Sequence, residues 1–326
     1  MSKCDISINP TQTHYKMGDT IKGEVKVEVN KECKCDALKI KKFWQTHGKG
    51  NRTRGKADEL VLFTGTWQPG VYVYEFSFKL VKGPLTHHGH YINIDWYLNA
   101  RADVPWSTDS KKEIDFIVEK GVDPIESDSE NHYRTQYNKY KKSPANTGLF
   151  KPFPLIFIFL GIAAIYFEWA FIIGALFIIA GSVIYYQLIQ SSLAEKKLGE
   201  VKCDVNGEEY RAGDTLSASI SFTPKKNINI NKVIAKLTGK EMVVSGSGTR
   251  ESRYTNIIFE NKVVLVGPGD YQKDFPVQKK CRFELPVDAA ASFYTDDNKI
   301  VWSVDFEVDI PKWPDWVNEV PIRVLS

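Results

Sequence analysis

The stretch Tyr15-Lys-Met-Gly18-Asp19-Thr20-Ile21-Lys-Gly23-Glu-Val25-Lys-Val27 recurs far downstream as Tyr210-Arg-Ala-Gly213-Asp214-Thr215-Leu216-Ser-Ala218-Ser-Ile220-Ser-Phe222. In both copies a Gly-Asp turn opens onto residues that alternate with period two. Ile21, Gly23, Val25 and Val27 face one side, as do Leu216, Ala218, Ile220 and Phe222, while Lys22, Glu24 and Lys26 face the other. Such alternation marks a half-buried strand. A turn followed by a strand, present twice, predicts two copies of one β domain.

Further matches extend the duplication in both directions. Lys3-Cys4-Asp5 corresponds to Lys202-Cys203-Asp204, and Phe76-Ser-Phe78-Lys-Leu80 to Cys281-Arg-Phe283-Glu-Leu285. Ile94-Asp-Trp96-Tyr-Leu98 lines up with Ile300-Val-Trp302-Ser-Val304, and Asp103-Val-Pro105 with Asp309-Ile-Pro311. Turn chemistry punctuates each half at Gln68-Pro-Gly70, Ser245-Gly-Ser-Gly248 and Gly267-Pro-Gly-Asp270. Neither half holds a convincing amphipathic helix. Short alternating strands between regular turns, in halves of this length, predict β-sandwiches of immunoglobulin-like type.

Between the halves lies a different kind of sequence. Phe153 to Ile189 is an apolar run broken by a single charge, Glu168. A bilayer-spanning helix needs roughly 20 residues, so a run of this length reads as two helices meeting at Glu168-Trp169. Arg134, Lys139, Lys141, Lys142 and Lys151 precede the run, Lys196 and Lys197 follow it, and the turn carries no Lys or Arg. That bias predicts a transmembrane hairpin in an integral, multi-pass membrane protein with both soluble domains cytoplasmic. The same basic residues, with Tyr137 and Tyr140 interleaved, are expected to lie on a lipid surface. Ala170, Gly174 and Gly181, with Gly161 and Ala164, predict helices that pack on each other. The resulting division is an N-terminal sandwich over 1–118, a linker and basic segment over 119–151, a helical hairpin over 152–190 and a C-terminal sandwich over 198–326.

Composition bounds function. The 43 Lys and Arg residues nearly balance 40 Asp and Glu, for a net charge of +3, so no global field argues for nucleic acid. Mean hydropathy is −0.30 despite the apolar run, so the halves are polar. The five cysteines, Cys4, Cys33, Cys35, Cys203 and Cys281, follow no disulfide spacing and read as free thiols. Cys4 and Cys203 fall at matching repeat positions, which suggests packing.

Candidate sites are few. His87-His88-Gly89-His90 places three imidazoles within one short stretch, a candidate transition-metal site that Asp95 or Asp103 would complete. Adjacent side chains on an extended loop diverge, so an ordinary polar loop is the simpler reading. Cys33-Lys-Cys35 with Cys4 supplies only one of the two knuckles of a structural zinc site. Ser245-Gly-Ser-Gly-Thr249 lacks the spacing of a nucleophile elbow, and Gly267-Pro-Gly-Asp270 lacks the Lys of a phosphate loop. Trp313-Pro-Asp-Trp316 is either a binding patch or strand-edge packing. No cofactor is expected, and no catalytic residue stands out.

The Tyr-x-x-Gly-Asp-Thr turn, the strand Gly70 to Phe78 with its Gly-x-Tyr-x-Tyr-x-Phe-x-Phe pattern, and the late Asp95-Trp-Tyr strand resemble the amino-terminal domain of arrestins. Phe275-Pro-Val277, Phe283-Glu-Leu-Pro286 and the Trp302 strand resemble the partner domain. The chain is thus similar to the arrestin-like superfamily outside 119–197, with a hairpin where relatives have a short linker. That resemblance implies a non-enzymatic scaffold or adaptor, here membrane-anchored, whose partners are the lipid bilayer and a membrane-associated protein. The Pro-Pro-x-Tyr motif of α-arrestins and a clathrin box are absent. An alternative is a surface-exposed immunoglobulin-like recognition or adhesion protein, for which the sequon Asn51-Arg-Thr53 would be a glycan site.

Overall fold

The computed structural model describes residues 3–81, 83–105, 110–121, 135, 137–140, 153–166 and 171–325, with the side chains of 153–154 and 186–192 left aside. Each half is a β-sandwich, as the duplicated motifs and the arrestin-like resemblance lead one to expect. In the first, β1 (Cys4–Pro10), β3 (Thr20–Val29) and β6 (Gly70–Lys79) form the smaller sheet in the order β1-β3-β6. The larger sheet runs β2 (His14–Lys16), β9 (Ser110–Glu119), β8 (Ile92–Asp103), β4 (Cys33–Gly48), β5 (Asp58–Trp67), with β7 (His87–His88) also paired to β8.

The second half repeats this plan. Its smaller sheet orders β10 (Lys202–Val205), β12 (Thr215–Phe222) and β17 (Val277–Glu284). Its larger sheet orders β11 (Glu209–Arg211), β20 (Trp316–Leu325), β19 (Asn298–Asp309), β14 (Lys232–Ser245) and β15 (Ser252–Val266), with β18 (Phe293–Tyr294) on β19. Even the parallel pairs correspond, β2 with β9 and β11 with β20. The second half also carries a two-stranded sheet of β13 (Ile228–Ile230) and β16 (Gly269–Tyr271).

Period-two burial explains why these residues form these layers. Along β3 exposed and buried residues alternate without a break, and Ile21, Val25 and Val27 are fully buried against the larger sheet. Burying such a side chain contributes roughly 1.5–3 kcal/mol. The Gly-Asp turns are built alike. Gly18 and Gly213 adopt φ of 101° and 84°, and the Asp19 and Asp214 carboxylates each accept a bond of 2.7 Å from the amide three residues back, Lys16 and Arg211. The two tryptophans also match: Trp96 Nε1 donates to the Pro84 carbonyl and Trp302 Nε1 to the Ala290 carbonyl, both at 2.9 Å.

One sequence equivalence shifts. Cys203 pairs with Ile220, and the position matching Ile220 is Val25, whose partner is Ile8. Cys203 therefore occupies the place of Ile8, not of Cys4, because β10 is shorter than β1 and begins further along the ladder.

The apolar run folds as α1 (Phe153–Tyr166) and α2 (Phe171–Leu198). They pack closely where a Cβ on Gly161 would lie 2.6 Å from the Gly174 carbonyl oxygen, and Phe157 meets Phe177 at 5.9 Å. Small residues do permit this approach, as expected. Spanning is another matter. Among the described residues no helix is long and apolar enough to cross a membrane, which overturns the expectation of an integral, multi-pass protein and removes the premise for placing both sandwiches in the cytoplasm. The 14 residues of α1 rise only about 21 Å, against a hydrocarbon core of about 30 Å. The last turns of α2 carry Lys196 and Lys197 and bury Ala194 and Leu198 in the second sandwich core. The proposed turn residues Glu168 and Trp169 lie outside the described residues.

Candidate functional site

The two sandwiches touch, and the contact is built from equivalent parts of each. Trp44 pairs with Trp96 and Gly239 with Trp302. Superposing those pairs sets Thr46 on Glu241, Ile92 on Asn298 and Ile94 on Ile300. It also sets His87 on Phe293, since they pair with Ile94 and Ile300. The same ends of β4 and β8, and of β14 and β19, thus face each other across the junction. Ile92, Ile94, Val243, Phe293 and Ile300 are buried together, with Trp44 edge-on to Phe293 at 5.7 Å.

Two polar side chains of the second sandwich complete the junction. Glu241 is fully buried and accepts from the backbone amides of His90 (3.1 Å), Tyr91 (2.9 Å) and Ile92 (3.4 Å) in the first sandwich. His87 Nε2 lies 3.3 Å away, and Asn256 donates at 3.3 Å. Successive amides turned onto one anion form a nest. Burial pushes the Glu241 carboxyl up, but the bonds from His87, Tyr91 and Asn256, with the His87 charge, outweigh it and hold it below the usual range. Gly89 is required here because a Cβ would lie 1.7 Å from Glu241 Oε1. Asn298 Nδ2, likewise buried, donates to the Asn51 carbonyl (2.7 Å), Thr46 Oγ1 (3.2 Å) and Thr53 Oγ1 (3.3 Å).

The histidine stretch goes to separate partners. His87 joins Glu241, His88 Nε2 sits 2.7 Å from Asp95 Oδ1, and the His90 ring lies 4.6 Å from that of Tyr91. His47 binds the other oxygen of Asp95. Asp95 thus lies between two imidazoles, and among the described residues no group of three or more His, Cys, Asp or Glu is placed to hold a metal ion. Nothing in the His87–His90 stretch pointed to His47, although its place on the outer face of β4 follows from alternation. Cys4, Cys33 and Cys35 are buried, and burial with the neighbouring thiols pushes Cys35 up to about 12. Asn51 of the sequon is engaged at the junction, donating to the Gly246 carbonyl at 2.9 Å and accepting from the Gly246 amide at 3.0 Å. A glycan on that nitrogen would break the contact, which counts against the adhesion reading.

The two tyrosines of the basic flank are placed differently from expectation. Tyr137 is buried on the second sandwich, its ring 5.8 Å from Tyr294 and its hydroxyl donating to the Pro321 carbonyl at 3.0 Å. Tyr140 donates to Glu319 Oε1 at 3.1 Å. These aromatics pack on protein instead of facing lipid, because Val301 and Met242 offer them an apolar patch on the outer sheet face. Lys139 is exposed, 3.9 Å from Asp296; Arg134, Lys141, Lys142 and Lys151 lie outside the described residues. Lys196 is exposed, while Lys197 Nζ rests 4.1 Å from the Trp313 ring centroid. Trp313 Nε1 donates to the Leu193 carbonyl at 3.0 Å and Trp316 Nε1 to Glu195 at 3.3 Å. The Trp313–Trp316 segment is therefore the socket of α2.

No family model matches the chain, and no curated protein matches it. Among solved structures, the crystal structure of Spo0M, a sporulation control protein from Bacillus subtilis, is similar at 18% identity, covering 39% of this chain and 49% of that one with a TM-score of 0.33. The match spans about half the length of that protein. The assignment of two β-sandwiches rests on the strand pairing itself.

Proposed function

We propose that this chain is a non-enzymatic, arrestin-like scaffold that holds two sandwiches in a set relation and seats them on a lipid surface without crossing it. The observation that carries this reading is the helical hairpin. Phe159, Phe171 and Ile172 are 73%, 70% and 75% exposed, far more apolar surface than a protein leaves uncovered without a use for it. The base of α2 is locked into the second sandwich by Ala194, Leu198 and the two tryptophans. A lipid-seated hairpin would therefore orient the whole body, as an interfacial anchor does. The exposed Lys139 and Lys196 add attraction to anionic headgroups.

The protein partner is a membrane-associated one, met at the sheet edges. β5 and β15 end their sheets, and Val61 and Ile257 on them are more than half exposed. A free edge offers backbone groups to an added strand. Flotation of the full chain with vesicles of neutral and anionic lipid tests the anchor. Co-flotation is expected, reduced by Phe159→Glu with Ile172→Glu; a chain that stays at the bottom with every composition refutes it. A charge introduced at the edge, Ile257→Lys, should weaken recruitment of a protein partner and leave flotation intact.

A further inference from the structure

The outer faces of the two larger sheets have diverged in charge at equivalent positions. In the register that sets Trp96 on Trp302, Asn99 and Arg101 of β8 take the places of Asp305 and Glu307 on β19, and Lys39 of β4 that of Ile234 on β14. On the second sandwich the acid is consumed locally: Asp305 accepts from Ser303 (2.8 Å), Thr238 (3.2 Å) and Lys240 (3.3 Å). On the first sandwich the same face opens into a cleft of about 340 Å³ walled by Lys39, Lys41, Arg54 and Arg101.

We propose that this cleft is a binding site for a small oxoanion-bearing ligand, a carboxylate or a phosphate ester. Its volume is at the lower end of that of small-molecule sites. Asp103 and Glu113 also line the cleft, and among the described residues these two with Glu59 are fewer than the four cations. Glu59 is shared by Lys39 (3.2 Å) and Lys41 (2.7 Å), Asp103 holds Arg101 Nε at 2.9 Å, and Glu113 accepts from the neutral Asn99 at 2.9 Å. Arg54 is held without a carboxylate among the described residues. Its guanidinium lies 4.1 Å from the ring centroid of buried Phe43, and its Nε and Nη2 donate to the neutral Gln45 Oε1 at 3.0 and 2.8 Å. A guanidinium oriented by stacking and by an amide is preorganised to donate to the paired oxygens of a carboxylate or a phosphate.

The test is calorimetric titration of the full chain, at low salt, with citrate, with glycerol phosphate and with uncharged glycerol. Binding of citrate or glycerol phosphate but not glycerol is expected, and the tighter of the two identifies the source of the anion. Arg54→Gln with Arg101→Gln, both on the open face and removable without opening the core, should weaken binding about tenfold or more. Lys236→Gln on the second sandwich should leave it unchanged. Added salt should weaken binding. No heat with either anion, or equal affinity in the double variant, overturns the proposal.

Discussion

The two sandwiches share one topology and use its ladder positions for different ends. Where the first places the small hydroxyl of Thr46, the second places the buried carboxylate of Glu241. Where the first places Ile92, the second places Asn298. The two buried polar side chains, Glu241 and Asn298, belong to the second sandwich, and most of their partners, backbone amides for Glu241 and a carbonyl and two hydroxyls for Asn298, belong to the first. Two copies of the second face set against each other would oppose two carboxylates, a buried like-charge pair with a large cost. The difference between the two halves thus makes this a junction of unlike partners.

The comparison can be pressed hardest where the halves are most alike. Trp96→Ala and Trp302→Ala remove equivalent, fully buried indoles with equivalent hydrogen bonds. Each should cost about 3–5 kcal/mol. Urea denaturation followed separately in each sandwich checks this, and widely different losses would break the equivalence.

The next effect should separate the halves. Glu241→Ala leaves the amides of His90 and Tyr91 without their acceptor at the junction and should cost about 3 kcal/mol, against about 1 kcal/mol for Thr46→Ala. Calorimetry should then show the sandwiches unfolding as two transitions. A single unshifted transition in Glu241→Ala would mean that Glu241 does not carry the coupling.

Acidification addresses the same contact. The Glu241 carboxyl lies below its ordinary value in the folded protein, so as pH falls the unfolded chain takes up this proton first. The stabilisation it brings is complete above the ordinary carboxylate range and is lost as pH drops through the lowered folded value. Denaturant midpoints measured from neutral to acid pH should fall in that window more steeply for the native chain than for Glu241→Gln. Parallel curves would sink the idea.

The smallest effect returns to the duplicated turns. Asp19→Ala and Asp214→Ala each remove one bond of 2.7 Å to a backbone amide and should cost about 1 kcal/mol apiece. Equal small shifts in thermal midpoint would confirm that the two turns do the same work.

Much of the fold was legible because it rests on local rules. The Gly-Asp turns and the alternation after them place strands β3 and β12, and the two tryptophans align β8 with β19. The packing of α1 on α2 followed from Gly161 and Gly174. The site was far less legible. His87 stood out as one of three neighbouring imidazoles, yet its partner Glu241 lies 154 residues away, and nothing local marks a lone Glu within β14. The histidines offered a metal site only if neighbours in sequence converged in space; on and beside a strand they go to different partners. Tyr137 and Tyr140 looked like lipid-facing aromatics, since an apolar patch on a distant sheet leaves no trace in the linker.

By itself, then, the sequence determined that there are two β domains of one design with an apolar helical pair between them. Period, turn residues and repetition are short-range properties carried by neighbours along the chain. Only the tertiary structure decided that the sandwiches meet, that Glu241 and Asn298 lock them, and that Trp313 and Trp316 receive α2. It also decided that no described helix is long and apolar enough to cross a membrane. Those outcomes depend on which surfaces come together, and a buried carboxylate or an indole has a meaning only once its partner is in place.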